Sequence, residues 1–228
     1  MRKQFNHVEN APKLHDLEVE ENDGMRFYVS PSGRKLPSIT TVLGRNSKKS
    51  IDNWIQRVGH EEANRIRKRA TDRGTKLHSL VEKYLKNENN LFEGVMPDLR
   101  QNFIDMKSGL LPIDNISHIE APLYSESLGV AGRTDLIAEY DQIPSVIDFK
   151  TSTKEKPEHY IENYFMQSSG YQYMYKELTG IIIPQIVIII AVDGRETPQV
   201  FIKNPDKYIG KLIDSIKSFH SETEKVIY

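Results

Sequence analysis

Apolar and polar positions change their period several times along the chain, and each change marks an element. The segment MRFYVSPSGRKLPSITTVL, residues 25 to 43, alternates and then turns at Ser-Pro-Ser-Gly, which predicts a hairpin. From Ser50 to about Asn87 the spacing is helical, punctuated near Gly59 and again near Gly74, and a further helix is predicted over Asp98 to Ser108. Residues 116 to 152 then read as three consecutive strands separated by turn residues. A helix from about Tyr160 to Leu178 stops at Thr179-Gly180, where glycine suits the helix end. The run IVIIIAV, residues 186 to 192, is continuously apolar, as in a strand covered on both faces. After the turn DGRETPQ comes a short strand, VFIK, and then an amphipathic helix. That helix carries Tyr208, Ile209, Leu212, Ile213, Ile216 and Phe219 on its core face.

No repeat, low-complexity tract or Gly/Ser/Pro-rich linker divides the 228 residues, so one domain is expected. Within it, residues 1 to 24 read as a polar, loose N-terminus, 25 to 90 as the hairpin and a basic helical region, and 115 to 228 as a sheet core with flanking helices. With 38% hydrophobic and 28% charged residues the composition is that of a soluble globular protein. The longest apolar run, IIIPQIVIIIAV, is too short to span a bilayer and is broken by Pro184 and Gln185, and the first residues form neither a signal core nor a transit peptide. The expectation is therefore an intracellular, cytoplasmic protein without membrane contact, in a bacterial host if phage-encoded. The absence of cysteine rules out disulfides, thiolate zinc sites, cysteine nucleophiles and iron–sulfur clusters on this chain. Any metal must sit on oxygen or imidazole ligands.

Net charge is −1, yet it is unevenly spread. Between Arg45 and Lys76 ten Lys or Arg residues, Arg73 and Lys76 among them, face four acids. That basic segment suits a polyanion bound at one place, or simply a solvated helix face.

The strands GRTDLIAEY and SVIDFK carry three charged groups that need a reason. If Tyr140 pairs with Ser145 across a four-residue loop, Ile137 faces Asp148 and Asp135 faces Lys150, so that Asp135, Asp148 and Lys150 share one side. Ile147 and Phe149 then point into the core. An odd-length loop would part the two aspartates. Neighbouring carboxylates repel unless a positive group lies between them, and a hard divalent cation meets that need. An ammonium beside such an ion can hold a water and neutralise charge on a phosphoryl group, so metal and lysine together suggest phosphodiester hydrolysis. The competing reading of a lone D-x-K is a surface ion pair. A glycosidase-type carboxylate pair leaves Lys150 unexplained.

With these residues the segment GVAGRTDLIAEYDQIPSVIDFKTSTKEK resembles the metal-binding core of the RecB-like branch of the PD-(D/E)XK nuclease superfamily, in particular the mitochondrial genome maintenance exonuclease family and related phage exonucleases. Four further blocks follow the family's order: LPSITTVL (36 to 43), RGTKLHSLVEKYL (73 to 85), FMQSSGYQYMY (165 to 175) and IVIIIAVDGRE (186 to 196). One departure is the missing proline of the superfamily's name, Thr134 standing before Asp135, although Gly132 fits the G-x-x-D form common in this branch.

The resemblance implies a restriction-endonuclease-like α/β fold, a mixed central sheet flanked by helices, with an N-terminal helical DNA-binding region. It matches His78, Asp135, Asp148 and the carbonyl of Phe149 to metal ligands, and Lys150 to the catalytic lysine. Glu82, four residues from His78 on one helical face, is placed to orient the imidazole. Gly74, one turn before His78, would let the sheet or DNA backbone approach. Gln167 and Tyr171 match the family's Q-x-x-x-Y helix, where they would touch the DNA backbone or brace the lysine strand, or serve as plain helix packing. Glu120 stands as a further acidic group or a paired strand residue. Ser38, Thr40, Thr41, Arg133 and Thr151 are candidate phosphate contacts, with Arg73 and Lys76 from the basic segment, and Trp54 is a candidate for stacking on bases.

The expected activity is that of a Mg2+- or Mn2+-dependent DNA exonuclease, monomeric, acting on single-stranded or end-containing DNA and leaving 5′-phosphate and 3′-hydroxyl products. Competing readings are a structure-specific endonuclease of the same fold, a catalytically silent DNA-binding or regulatory module, and a metal-stabilised structural protein. The silent module should have lost Asp135, Asp148 or Lys150, and all three are present.

Overall fold

A computed structural model describes residues 3–226 apart from Asp23. Three short strands, β1 (Glu18–Asn22), β2 (Met25–Val29) and β3 (Lys35–Pro37), form an antiparallel sheet. Then come α1 (Ile39–Asn46), α2 (Lys48–Val58), α3 (His60–Leu85) and α4 (Pro97–Leu110). The second sheet has five strands in sequence order, β4 (Ile113–Ser125), β5 (Val130–Tyr140), β6 (Ile143–Ser152), β7 (Gln185–Val192) and β8 (Gln199–Lys203). Helix α5 (Glu162–Thr179) joins β6 to β7, which pair in parallel while every other pair is antiparallel; α6 (Asp206–Val226) closes the chain. The result is a mixed α/β fold with its central sheet flanked by helices.

Each face of the five-stranded sheet buries its own apolar layer. Ile137, Val146, Ile186, Ile188 and Ile190 pack against α1, α5 and α6, whereas Leu136, Ile147, Phe149, Val187 and Ile189 pack against α3 and α4. Strand β7 is buried on both faces, which is why its sequence shows no alternation. Helix α5 ends at Gly180, whose left-handed backbone (φ 75°) a side chain would oppose.

Three expectations change. Residues 1 to 24 were expected to be loose; of these Met1, Arg2 and Asp23 lie outside the described residues, and several of the rest are tied down. Residues 18 to 22 form β1, Phe5 and Leu17 are buried, and His7 bridges to Ile116 in β4. The anchors are single apolar residues without periodicity, so the pattern of the sequence does not reveal them. Gly74 does not interrupt α3, which runs unbroken to Leu85; the break falls at Gly59 alone (φ 87°). Finally, the β5–β6 loop has two residues, not four: Asp141 and Gln142 both take positive φ, and Tyr140 pairs with Ile143. Two residues of positive φ are what a tight hairpin turn requires.

Candidate metal centre and lysine site

The shorter loop slides the β5–β6 register by two residues from the expected one, with Leu136 against Ile147. A shift of two preserves faces, so the aspartates remain neighbours. Regular pairing stops beyond Leu136, and Oδ2 of Asp135 instead accepts the backbone N–H of Phe149 at 2.8 Å. That bond joins two neighbouring groups of side chains into one site.

The first group is His78 of α3, Glu120 of β4 and Asp135 of β5. One ligand atom from each lies within 4.8 Å of the others, a grouping able to share a metal ion. His78 comes from the inward face of α3, flanked by the buried Leu77 and Val81, and its ring meets Phe149 edge-on. Nδ1 of His78 is 3.5 Å from Oδ1 of Asp135. Glu120 reaches the group through an irregularity: its φ is +56°, and the β4–β5 ladder skips the Glu120–Asp135 position. Alternation reverses there, since Ile119 packs toward α3 and α4 but Ala121 toward α1 and α5. Such breaks in a ladder re-aim side chains.

In the second group Asp148 is 1% exposed and forms an ion pair with Lys150, itself 22% exposed. Oδ1 of Asp148 accepts from Nε2 of Gln167 at 3.3 Å, and the same amide donates to the hydroxyl of Tyr171 at 3.2 Å. The Lys150 ammonium lies 5.2 Å from the ring centre of Tyr164. Tyr164 escaped the sequence reading; its signal was a position three residues before Gln167 on one helical face.

Electrostatics follow from this arrangement. Burial pushes the Asp148 carboxyl up to about 6, with the Asp135 charge adding to the rise and Lys150 opposing it. Burial also tends to raise Asp135, but the hydrogen bond and charge of His78, with Lys150 and the Phe149 amide, hold it below its ordinary value. For His78 burial disfavours the imidazolium, and Asp135 outweighs it and raises the pKa. Glu120 is raised by burial and by Asp135. Asp135 thus adds to the rise that burial gives Asp148 and Glu120, a repulsion among the three carboxyls that an ion would relieve.

The remaining candidates divide. Gln167 and Tyr171 are buried, so they brace Asp148 from beneath and do not reach a DNA backbone. Glu82 pairs with Lys86 at 2.6 Å in place of orienting His78. Arg73 pairs with Asp193, and Arg133 with Asp16 and the carbonyl of Glu120. Ser38 is 2% exposed and caps α1 through the N–H of Thr41, whereas Thr40 and Lys76 are exposed and Thr41 is half-buried. At Gly74 a Cβ would meet Thr151 at 3.9 Å, an ordinary contact, so close approach does not demand glycine there. Trp54 is half-buried on α2, with the Arg67 guanidinium 5.9 Å from its ring.

Fold and site thus define a mixed α/β protein in which a His/Glu/Asp group able to share a metal ion adjoins an Asp–Lys pair. No family model matches the chain. Over 131 residues it is 28% identical to human (Homo sapiens) mitochondrial genome maintenance exonuclease 1, an alignment covering 54% of this chain and 38% of that protein. The chain therefore matches well under half of that relative's length. Among solved structures, that of SSO0001 is similar with a TM-score of 0.45 at 16% identity, covering 80% of this chain and 74% of the other. Among the described residues no helix is long and apolar enough to cross a membrane.

Proposed function

We propose that the chain is a divalent-metal-dependent nuclease of the PD-(D/E)XK type that hydrolyses DNA phosphodiester bonds from ends. The observation that carries this reading is the Phe149 bridge, which sets the His78–Glu120–Asp135 group beside the Asp148–Lys150 pair. Similarity to a genome maintenance exonuclease supports the nuclease class and DNA as substrate.

His78, Glu120 and Asp135 would hold Mg2+ or Mn2+, oxygen and imidazole being suitable donors for such ions. Asp148 would join them on release from Lys150, and the Phe149 carbonyl is a further donor of the right type. When bound, the ion supplies Lewis-acid chemistry and neutralises phosphoryl charge. Lys150 carries its ammonium at the mouth of the site, where it orients an attacking water and donates to a phosphate oxygen. Gln167 and Tyr171 keep Asp148 fixed, so that its carboxylate presents one oxygen to Lys150. Asp135 holds the strand pair through the Phe149 amide and fixes the tautomer of His78. In-line attack would leave 5′-phosphate and 3′-hydroxyl ends.

Phosphate contacts along the strand find support in a groove where Thr40, Thr41, Arg45, Lys48 and Arg67 outnumber the acids Asp52 and Glu21, the latter paired with Arg26. Lys76 and Thr151 lie on the α3–β6 side of the site, and Trp54 offers an aromatic face to an unpaired base. Incubating linear and circular DNA with wild type in Mg2+, Mn2+ or EDTA tests the assignment. Linear DNA shortened only with metal, and intact circles, support an exonuclease; nicked circles point to an endonuclease, and DNA intact under every metal overturns the reading.

A further inference from the structure

Glu120 is the least regular residue of the metal group, and the side chain that secures it is Arg133. Antiparallel β4–β5 pairs run on both sides of Glu120, Ile119 with Leu136 and Ala121 with Thr134, but the Glu120–Asp135 pair is missing. The left-handed backbone at Glu120 (φ +56°) is one that a side-chain-bearing residue rarely adopts without external support. Freed from the ladder, the Glu120 carbonyl needs a donor. Nη1 of Arg133 provides it at 2.9 Å, reaching along the strand from its own pairing position opposite Pro122. The other arm of the guanidinium donates to Oδ1 of Asp16 at 2.9 Å, in the N-terminal segment ahead of β1. That segment is anchored nearby: Leu17 is buried, and Nε2 of His118 lies 2.8 Å from the carbonyl of Pro12.

We propose that Arg133 is a positioning residue for the metal group: by gripping the Glu120 carbonyl it holds the reversed backbone that turns the Glu120 carboxylate toward His78 and Asp135. This rests on reading that group as a divalent-cation site. Asp16 holds the far side of the guanidinium, so the N-terminal segment contributes to the site without touching it. Arg133, a phosphate-contact candidate by residue type, is already committed through both arms.

The test measures Mn2+ binding by the loss of the free-ion electron paramagnetic resonance signal, with no DNA present. Arg133→Met should weaken binding by about 10-fold or more, in the range seen when a partner orienting a ligand is removed. In a Glu120→Gln background the same change should have almost no further effect, a coupling that general loosening of the fold would not produce. Asp16→Ala, at an exposed site, should give a smaller loss and serves if Arg133→Met fails to fold. Equal losses with and without Glu120, or wild-type Mn2+ affinity in both Arg133→Met and Asp16→Ala, would overturn the proposal. So would unchanged Mn2+ affinity with a raised KM for DNA, which marks Arg133 as a phosphate contact. Wild type that binds no Mn2+ at millimolar concentration overturns it as well. Normal Mn2+ coupling without any DNA cleavage leaves the positioning role intact and sinks the nuclease reading instead.

Discussion

Gly132 and Tyr171 interlock beneath the acidic site: a Cβ on Gly132 would lie 2.7 Å from Cε1 and 3.0 Å from the hydroxyl of the Tyr171 ring. Glycine is required because the ring fills the space, and through Gln167 that ring supports Asp148. Gly132→Ala should therefore lower stability by about 1–3 kcal/mol, the range for overpacking a filled interior. Urea denaturation measures it, and an unchanged midpoint would show that Tyr171 moves aside freely.

Much of the fold was legible because long elements announce their period, as β7 does by its unbroken apolar run and α5 by its glycine stop. Asp135 and Asp148 stay neighbours despite the wrong loop length because four and two residues have the same parity, although the expected pairs Asp135–Lys150 and Ile137–Asp148 do not form. Asp141-Gln142 lacks the Asn-Gly signature of a tight turn, and Ile143-Pro144 reads as loop, although Pro144 enters β6 opposite Glu139. Glu120 was harder to place. Its role depends on a backbone reversal in mid-strand, and no residue type at that position signals positive φ. Gln167 and Tyr171 were singled out by the resemblance to the family's Q-x-x-x-Y helix, but their burial, which neither the motif nor a spacing of four reveals, favours a bracing role.

Gln167→Ala leaves a buried Asp148 oxygen without its amide donor. A cost of about 1–3 kcal/mol is expected, together with reduced cleavage and a smaller loss of Mn2+ affinity than Glu120→Gln gives, because Gln167 acts on the site only through Asp148. Calorimetric unfolding and metal titration on one sample separate the two effects.

Stability of the metal-free protein should depend on pH through Asp148. Its carboxyl titrates near 6 in the fold against an ordinary 3.8. The folded chain thus holds that proton more tightly than the unfolded one. The resulting contribution is fully present below pH 3.8 and is lost as pH rises through about 6. His78, raised above 6.5, acts in the same sense, its contribution being lost as pH rises through the raised value. In EDTA, wild type should therefore gain Tm relative to Asp148→Asn as pH falls from 7 to about 4.5. A difference that does not vary with pH would assign Asp148 an ordinary carboxyl.

Metal binding should weaken as pH falls over the same range, since protons and the ion compete for His78 and the carboxylates. Glu120→Gln and Asp135→Asn should each reduce Mn2+ affinity about 10-fold or more. Lys150→Ala should not reduce it, because removing a nearby positive charge favours a cation. Isothermal titration calorimetry gives all three values.

Cleavage of end-labelled linear DNA by wild type and Lys150→Ala, in Mn2+ and in EDTA, addresses the central claim most directly. The account predicts shortening by wild type only with metal, and a rate at least ~100-fold lower for Lys150→Ala with Mn2+ still bound. Intact DNA with wild type under every metal, or a Lys150→Ala variant that cleaves as fast as wild type, would contradict it.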